Sequence, residues 1–144
     1  MIVAVTKENE NAWAELCAEF WPDLTADSAL KMSYEGLFKN EFLFFENEVA
    51  VAFLSLSMRS DYVEGTDSSP VGYIEGLYVK PEFRRKGIAE KLVEHAKEWS
   101  EKYGCTELAS DCALDNLGSQ SFHKDIGFTE VNRIVCYTMQ LRAE

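Results

Sequence analysis

The sequence predicts an α/β protein with a mixed, mainly antiparallel sheet and helices on both faces. Three apolar, strand-like segments follow one another between residues 41 and 79, which favours antiparallel neighbours. Strand and helix patterns then alternate, which favours a parallel crossover, and both halves must share one sheet. With 144 residues, 47% of them hydrophobic, the chain can bury one sizeable core. We therefore expect a single domain over residues 1–144.

The N-terminal elements are predicted to be a strand and two helices. Residues 2–5 form a short β-branched run, and residues 7–21 carry apolar side chains at helical spacing. Pro22 ends this helix, and Thr25 or Asp27 can cap a second one. The apolar face of the second helix comprises Leu30, Tyr34, Leu37 and Phe38.

A hairpin and a third strand follow. The apolar segments 41–46 and 49–58 flank the polar pair Asn47-Glu48, which predicts two antiparallel strands joined by a tight turn. Residues 60–70 are rich in Gly, Ser, Asp and Pro and predict an exposed loop of the kind that often carries recognition. The next strand is predicted over residues 71–79.

Helices and strands alternate in the remainder of the chain. Pro81 ends the preceding strand, and apolar side chains then recur with a helical period until Gly104. The predicted elements are a long helix from residue 84, a strand over 106–110, a helix over 116–126 and a final strand pair over 128–141.

The charge balance restricts the possible partners. The chain has 14 Lys and Arg against 25 Asp and Glu, a formal net charge of -11. Such a field repels phosphate backbones, so we expect no nucleic-acid partner. An acidic surface can serve solubility alone, or it can concentrate a polycationic substrate. Composition does not choose between these two interpretations.

Cysteine and histidine usage indicates a reducing compartment. Cys17, Cys105, Cys112 and Cys136 are widely spaced and the chain has two histidines, so neither a metal site nor a disulfide framework is predicted. No stretch approaches the roughly 20 apolar residues that a membrane span needs. We expect a cytoplasmic protein without a membrane partner.

A basic turn opens the long helix directly after a strand. Backbone N–H groups at a helix N-terminus are unpaired and carry partial positive charge, so this turn can hold a pyrophosphate. Gly87 allows close approach of phosphates to the backbone, and Arg84, Arg85 and Lys86 add positive charge to an acidic protein. The alternative is an ordinary helix start with solvated basic side chains.

This turn, RRKGIA, resembles the R/Q-x-x-G-x-G/A acyl-CoA-binding signature of the GNAT superfamily. The later segment NLGSQSFHKDIGF resembles the second landmark of that family, so the resemblance spans essentially the whole chain. It implies a GNAT-type sheet that is splayed at the acyl-CoA site, and acetyl-CoA as co-substrate. The cofactor-binding residues that it implies are Leu77, Tyr78, Val79, Arg84, Arg85, Lys86, Gly87, Ile88, Ala89, Glu90 and Asn116.

The segments RSDYVEGTDSSPVGYIEGLYV and CTELASDCALDN resemble stretches of aminoglycoside 6'-N-acetyltransferases, as does FWP in the first helix. The resemblance implies acetyl transfer to the 6'-amino group of an aminoglycoside, which confers resistance. It also implies a homodimer formed through the C-terminal region, in which residues 131–141 would extend a sheet across a two-fold axis. The substrate-binding residues that it implies are Trp21, Tyr62, Glu75, Asp111 and Asn132, of which Asn132 stands where relatives can carry an acid.

The catalytic roles are shared between candidates. Asp111 or Glu75 would take the proton of the reacting ammonium, and these residue types suit a polycation. His123 stands where many GNAT enzymes have a tyrosine that protonates the departing thiolate, a role that water can also fill. Two other functions remain open, which are acetylation of another small polyamine or a protein amine, and non-catalytic binding of acyl-CoA or a cationic ligand.

Overall fold

The computed structural model describes residues 1–34 and 40–142 of the chain. The predicted helix residues Leu37 and Phe38 lie outside this described part. The elements in chain order are β1 (Ile2–Ala4), α1 (Glu10–Phe20), α2 (Ala26–Tyr34), β2 (Glu41–Glu46), β3 (Val49–Arg59), β4 (Val71–Val79), α3 (Ile88–Lys102), β5 (Leu108–Ser110) and α4 (Leu117–Asp125).

The five strands form one sheet in the order β1-β2-β3-β4-β5. The first three pairs are antiparallel, and the pair of β4 with β5 is parallel. The predicted mixed, mainly antiparallel sheet is therefore confirmed. Because α3 lies in sequence between β4 and β5, it provides the crossover that a parallel pair requires.

Helices cover both faces of the sheet, as the alternation of side chains along the strands requires. Leu43 and Phe53 are fully buried and pack with Trp13 and Cys17 of α1. On the opposite face, Gly72 meets Ser100 of α3: a Cβ at Gly72 would stand 2.0 Å from the Ser100 hydroxyl oxygen. This close approach places α3 directly against the first residues of β4.

The two predicted local signals at the start of the sheet are confirmed. Asn47 and Glu48 have φ values of 50° and 68°, as a two-residue hairpin turn between β2 and β3 needs. Pro22 follows the end of α1, and the Thr25 hydroxyl accepts the backbone N–H of Ser28 at 3.1 Å, so Thr25 rather than Asp27 caps α2.

Two predicted elements differ from the structure. The long helix begins at Ile88, not at Arg84, because Pro81–Phe83 forms a separate 3-10 turn and the chain then reverses through left-handed residues. The final strand pair over residues 128–141 is absent, since these described residues form no ladder. An alternating apolar pattern favours a strand, but only hydrogen bonds to a neighbouring strand create one.

The contacts divide the chain into two compact units, Met1–Asp111 and Cys112–Glu144. The first unit contains the whole sheet with α1, α2 and α3, and the second contains α4. Within the described residues, no helix is both long and apolar enough to span a membrane.

Candidate active site

A β-bulge on β4 places one of the predicted carboxylates. Ser55 pairs with Gly76 and Leu56 pairs with Ile74, so Glu75 is an extra residue without an opposite partner on β3. A bulge of this kind bends its strand and redirects the side chain of the extra residue. Glu75 therefore lies at an irregularity of the ladder, on the strand face that also carries Ser57 and Tyr73.

Beyond the bulge, one edge of β4 opens. Strand β5 pairs with β4 only from Gly72 to Ile74, so among the described residues that ladder ends where the bulge begins. Hydrogen-bonded and non-bonded pairs alternate in an antiparallel ladder. Because Lys80 N donates to Val51 O at 2.9 Å, the N–H and C=O groups of Leu77 and Val79 point away from β3. These backbone groups line the open edge of β4, as we expect for a sheet that is splayed at an acyl-CoA site.

Tyr78 differs from its two neighbours on β4. By the same alternation, its backbone faces β3. Its ring packs among Phe20 and Phe53, and its hydroxyl donates to Glu19 at 2.9 Å. The side chain of Tyr78 thus holds α1 against the sheet, while the strand edge is formed by Leu77 and Val79.

The turn that follows β4 has an unusual backbone. Arg85 and Gly87 both have left-handed φ values, 64° and 81°, and Gly87 occupies the N-cap of α3 without a side-chain cap from the described residues. The first N–H groups of α3, from Ile88 to Glu90, therefore have no acceptor within the helix. Such amides form an anion-binding concavity at the positive end of the helix dipole.

The basic side chains of this turn have different positions. The Arg84 Nε donates to the Val79 carbonyl oxygen at 2.8 Å and so ties the turn to the end of β4. Arg85 and Lys86 are exposed. The turn therefore presents two exposed cations and helix amides without an acceptor in α3, which together suit a phosphate group.

At the other end of β4, Glu75 is engaged in a network of side chains. Arg59 donates to both carboxylate oxygens, from Nη2 to Oε1 at 2.7 Å and from Nε to Oε2 at 3.0 Å. The Ser57 hydroxyl also donates to Oε2. A carboxylate has about four acceptor positions, so three of those on Glu75 are occupied.

The second predicted carboxylate, Asp111, is joined to the same network. The Tyr73 hydroxyl donates to Asp111 Oδ2, and the Arg59 guanidinium lies 3.5 Å above the centroid of the Tyr73 ring. Burial, followed by the hydrogen bond to Asp111, raises the pKa of Tyr73, so the phenol stays protonated and remains a donor. This contact uses Oδ2 of Asp111 and does not engage Oδ1.

Sequence reasoning missed Ser57, Arg59 and Tyr73. Each lies in a strand pattern that predicts only ordinary sheet positions. Their convergence depends on the pairing of Ser57 with Tyr73 and on the bulge at Glu75, and neither can be derived from one sequence. The only local signal is an arginine at the end of an otherwise apolar strand.

Among the predicted aromatic contacts, Trp21 lies beside Glu75. A Cβ at Gly76 would come within 2.8 Å of the Trp21 ring, so the absence of a side chain at Gly76 lets the indole lie against β4 next to the bulge. Tyr62 is 80% exposed and donates to Glu64 at 2.7 Å within the 60–70 loop. The structure therefore places Trp21 against β4 beside the bulge, whereas the hydrogen bond of Tyr62 lies within its own loop.

The loop over residues 60–70 is anchored by a residue that sequence reasoning also missed. Glu107 accepts the backbone N–H of Asp67 at 2.9 Å and the hydroxyl of Ser68. These hydrogen bonds lower the pKa of Glu107, so it remains an acceptor. The long loop is thereby fixed to the start of β5.

The remaining predicted residues belong to the C-terminal unit. Asn116 is the N-cap of α4 and accepts the backbone N–H of Ser119 at 3.1 Å. The His123 Nδ1 lies 2.7 Å from the Ser119 carbonyl oxygen, and its ring packs against Phe128. Asn132 accepts the backbone N–H of Arg133. Each of these contacts lies within the unit itself.

A buried carboxyl group lies on the α1 face of the sheet. Glu41 is 6% exposed, pairs with Ser55 across the strands, and accepts the indole N–H of Trp13 at 3.2 Å. Burial is the main cause that raises the pKa of Glu41 from 4.5 to about 8. No group of three or more His, Cys, Asp and Glu side chains that could hold a metal ion occurs in residues 1–34 and 40–142.

Comparisons with known proteins agree with this geometry. The family model described as Acetyltransferase (GNAT) family matches residues 6–128. An aminoglycoside N(6')-acetyltransferase type 1 of Acinetobacter haemolyticus is 39% identical over 132 residues, which are 90% of each chain. The protein of the same name from Serratia marcescens is 37% identical over 98% of this chain and 99% of its own.

Solved structures give the same result for the fold. The apo crystal structure of an aminoglycoside 6'-N-acetyltransferase from Acinetobacter haemolyticus superposes with a TM-score of 0.91 at 35% identity, covering 99% of both chains. AAC(6')-Iy in complex with the bisubstrate analogue CoA-S-monomethyl-acetylneamine superposes with a TM-score of 0.91 at 35% identity, covering 97% of both chains.

Proposed function

Since the chain belongs to the acetyltransferase (GNAT) family, we propose that it transfers an acetyl group from acetyl-CoA to the 6'-amino group of aminoglycosides and so confers resistance. The observation that carries the proposal is the arrangement of β4. One end of this strand opens beside free helix amides, and the other end holds the carboxylates Glu75 and Asp111. An acyl-CoA site and a cation site therefore share one strand.

The residues at the open end fit the co-substrate. The amides from Ile88 to Glu90 and the exposed cations Arg85 and Lys86 suit a pyrophosphate. The backbone groups of Leu77 and Val79 suit the amides of an extended pantetheine arm, as an added strand would. Acetyl-CoA supplies the activated thioester, and the N–H of Val79 is our candidate donor to its carbonyl oxygen. Arg84 then acts mainly by holding Val79 and the turn together.

The residues at the acidic end fit a polycationic amine. We assign Asp111 as the group that binds the reacting ammonium and takes its proton, because its Oδ1 is not engaged by Tyr73. Glu75 is the weaker candidate, since Arg59 and Ser57 occupy three of its acceptor positions. The ammonium must lose a proton so that its nitrogen lone pair can attack the thioester carbon. Glu75, whose charge is paired with Arg59, then contributes one further acceptor position.

The aromatic and C-terminal residues have supporting roles in the proposal. Trp21 covers an apolar sugar face beside Glu75, and Tyr62 contacts the drug from the anchored loop. His123 is the candidate proton donor to the thiolate, Asn116 a contact for the pantetheine arm, and Asn132 a contact for the drug. None of these three roles follows from the contacts within the C-terminal unit.

The proposal includes a homodimer in the cytoplasm. Within the C-terminal unit Val131, Ile134 and Tyr137 are 58%, 63% and 88% exposed, and a second copy would cover them. The four cysteines are free, as the reducing cytoplasm requires. Light scattering of the purified protein tests the dimer, and the mass of a single chain across micromolar concentrations would contradict it.

Mass spectrometry with a matched pair of drugs tests the activity. Neomycin carries a 6'-amine and paromomycin a 6'-hydroxyl, so we expect a monoacetylated product from neomycin, kanamycin and tobramycin but none from paromomycin. Equal acetylation of neomycin and paromomycin would place the reaction at another amine. Faster acetylation of spermidine or a peptide amine would favour another acceptor class, and drug binding without product would indicate a non-catalytic binder.

A further inference from the structure

Arg59 forms the centre of the side-chain network at the acidic end of β4. It contacts Glu75 through two hydrogen bonds, of 2.7 and 3.0 Å. Its guanidinium carbon lies 3.5 Å from the centroid of the Tyr73 ring. A planar guanidinium can make both contacts at once, with its edge directed at a carboxylate and its face on an aromatic ring.

The pairing of the strands explains why these groups meet. Ser57 pairs with Tyr73, and Arg59 pairs with Val71 two residues further along. Residues two apart on a strand share a face, so Ser57, Arg59 and Tyr73 lie on the same side of the sheet. Glu75, two residues after Tyr73 on β4, lies on that side as well and completes the contacts of Arg59.

The network reaches the reaction centre through Tyr73. The hydroxyl of Tyr73 donates to Asp111 Oδ2, while Arg59 covers the ring of the same tyrosine. Asp111 follows the last residue of β5 and has no strand neighbour of its own beyond Ile74–Ser110. The Tyr73 hydroxyl therefore helps to hold the Asp111 carboxylate. The Tyr73 ring packs with Val63 and Val71 in a buried cluster, and Arg59 covers the ring as a further contact.

A role in stability explains this arrangement poorly. The side chains of Arg59 and Glu75 are 41% and 30% exposed, and ion pairs with this exposure contribute little to folding. The exposed pair Arg133–Glu130 has the same two-bonded geometry, with distances of 3.0 and 2.9 Å. Only Arg59 also covers a tyrosine that donates to a predicted catalytic carboxylate.

We propose that Arg59 is a positioning residue for acetyl transfer, which fixes Glu75 directly and Asp111 through Tyr73. This inference rests on the proposed function. In this role Arg59 also neutralises Glu75, so that the charge of Asp111 is the one available to the ammonium of the substrate. Arg59 itself does not contact the reacting atoms.

Steady-state kinetics of four variants and one control variant test the proposal. In Arg59→Met the side chain keeps its length but loses both contacts, and we expect kcat on kanamycin to fall about 10- to 100-fold, the usual effect of a misplaced reacting group. Arg59→Lys should recover little of this loss, because an ammonium cannot donate to two oxygens and stack on a ring together. The Kd of acetyl-CoA and the Tm should change little.

Tyr73→Phe and the double variant Arg59→Met/Tyr73→Phe distinguish positioning through Tyr73 from a direct effect of the Arg59 charge. If Arg59 acts through Tyr73, the two losses in kcat overlap, and Arg59→Met with Tyr73→Phe is about as slow as the slower single variant. Arg133→Met is the matched control, and its activity should remain within about twofold of wild type. Fully additive losses from Arg59→Met and Tyr73→Phe would overturn the proposal.

A lower KM with an unchanged kcat would also overturn the proposal. If Arg59 only competes with the drug for Glu75, Arg59→Met lowers the KM for kanamycin and leaves kcat unchanged. An independent NMR measurement detects the contact itself, since the Tyr73 ring must shift the Arg59 Hδ resonances upfield and Tyr73→Leu must abolish that shift. A wild-type protein with this shift but no activity on any aminoglycoside would refute the proposed function, whereas an active protein without it would refute the role of Arg59.

Discussion

The two ends of β4 are built in different ways. At the end near Val79, the proposed binding groups are backbone amides, set by left-handed residues at Arg85 and Gly87. At the end near Glu75, they are side chains from β3, β4 and the residue after β5. The first end depends on the conformation of one continuous segment. The second depends on the pairing of three strands.

This difference fits the chemistry that we propose for each end. A pyrophosphate is the same in every acyl-CoA, and amides at a helix N-terminus bind it without specialised side chains. An amine has to be selected, oriented and deprotonated, which requires charged side chains at defined positions. Substitutions near Glu75, at the acidic end of β4, should therefore act through charge. Substitutions near Val79, which we call the amide end, should act through the backbone conformation and through the space left for a phosphate.

The largest expected effect is at Asp111. Asp111→Asn removes the charge with little change in shape, and kcat/KM on kanamycin should fall on the order of 10²- to 10⁴-fold, as the loss of a general base commonly does. Binding of acetyl-CoA, measured by calorimetry, should persist because the other end of β4 is unchanged.

Glu15→Gln provides the control for Asp111→Asn. Glu15 is exposed on α1, so the same loss of one negative charge should leave kcat/KM within about twofold of wild type. A folded Asp111→Asn variant with wild-type kcat/KM across the pH range would show that Asp111 is ordinary surface charge. Glu75 would then become the candidate base.

An intermediate effect is expected at the amide end. Gly87→Glu brings a carboxylate to the phosphate position, and the Kd of acetyl-CoA should rise at least about tenfold. Gly104→Glu is the matched control at the other end of α3, since Gly104 has nearly the same φ, 83° against 81°. A Cβ at either position would meet no described atom within 4 Å.

Both glycine variants force a side chain into a left-handed residue, which costs roughly 1–2 kcal/mol in each. Their Tm values should therefore fall together, while only Gly87→Glu loses affinity for acetyl-CoA in calorimetry. Equal Kd values for the two variants would mean that the amides of α3 do not bind the pyrophosphate.

The smallest effect on activity is expected at the buried Glu41 of β2. Because burial raises the pKa of Glu41 to about 8, the folded protein keeps a proton that the unfolded chain releases above about pH 4.5. The free energy of unfolding therefore falls as pH rises through this window, by up to about 1.4 kcal/mol per pH unit. Glu41→Gln removes this dependence, since the amide does not titrate.

Thermal melting of wild type and Glu41→Gln between about pH 5 and pH 9 measures this linkage. The Tm of Glu41→Gln minus that of wild type should increase as pH rises. The Tm difference between Glu15→Gln and wild type should stay constant. The kcat/KM of Glu41→Gln should stay within about threefold of wild type, because Glu41 is 6% exposed and the amide can still accept the indole N–H of Trp13. A Tm difference that is independent of pH would contradict the buried, protonated state.

The sequence predicted most local elements because their signals are local. The polar pair Asn47-Glu48 predicted the hairpin turn, and strand β4 has the predicted limits of residues 71 and 79. The start of α3 was predicted four residues too early, because helical periodicity cannot show that Arg85 and Gly87 leave the helical region. The strand pair over 128–141 was wrong for the single chain, since a strand requires a partner.

The sequence by itself determined the family and predicted the basic turn after β4, because each is carried by short segments with local signals. The resemblance of those segments to the family implied Glu75 and Asp111 as candidate carboxylates. Only the tertiary structure decided how these carboxylates differ. The register of β3 and β4, with its bulge at Glu75, places Arg59 on Glu75 and Tyr73 on Asp111. Contacts between strands depend on pairing across long sequence separations, and a single sequence does not encode that pairing in any local pattern.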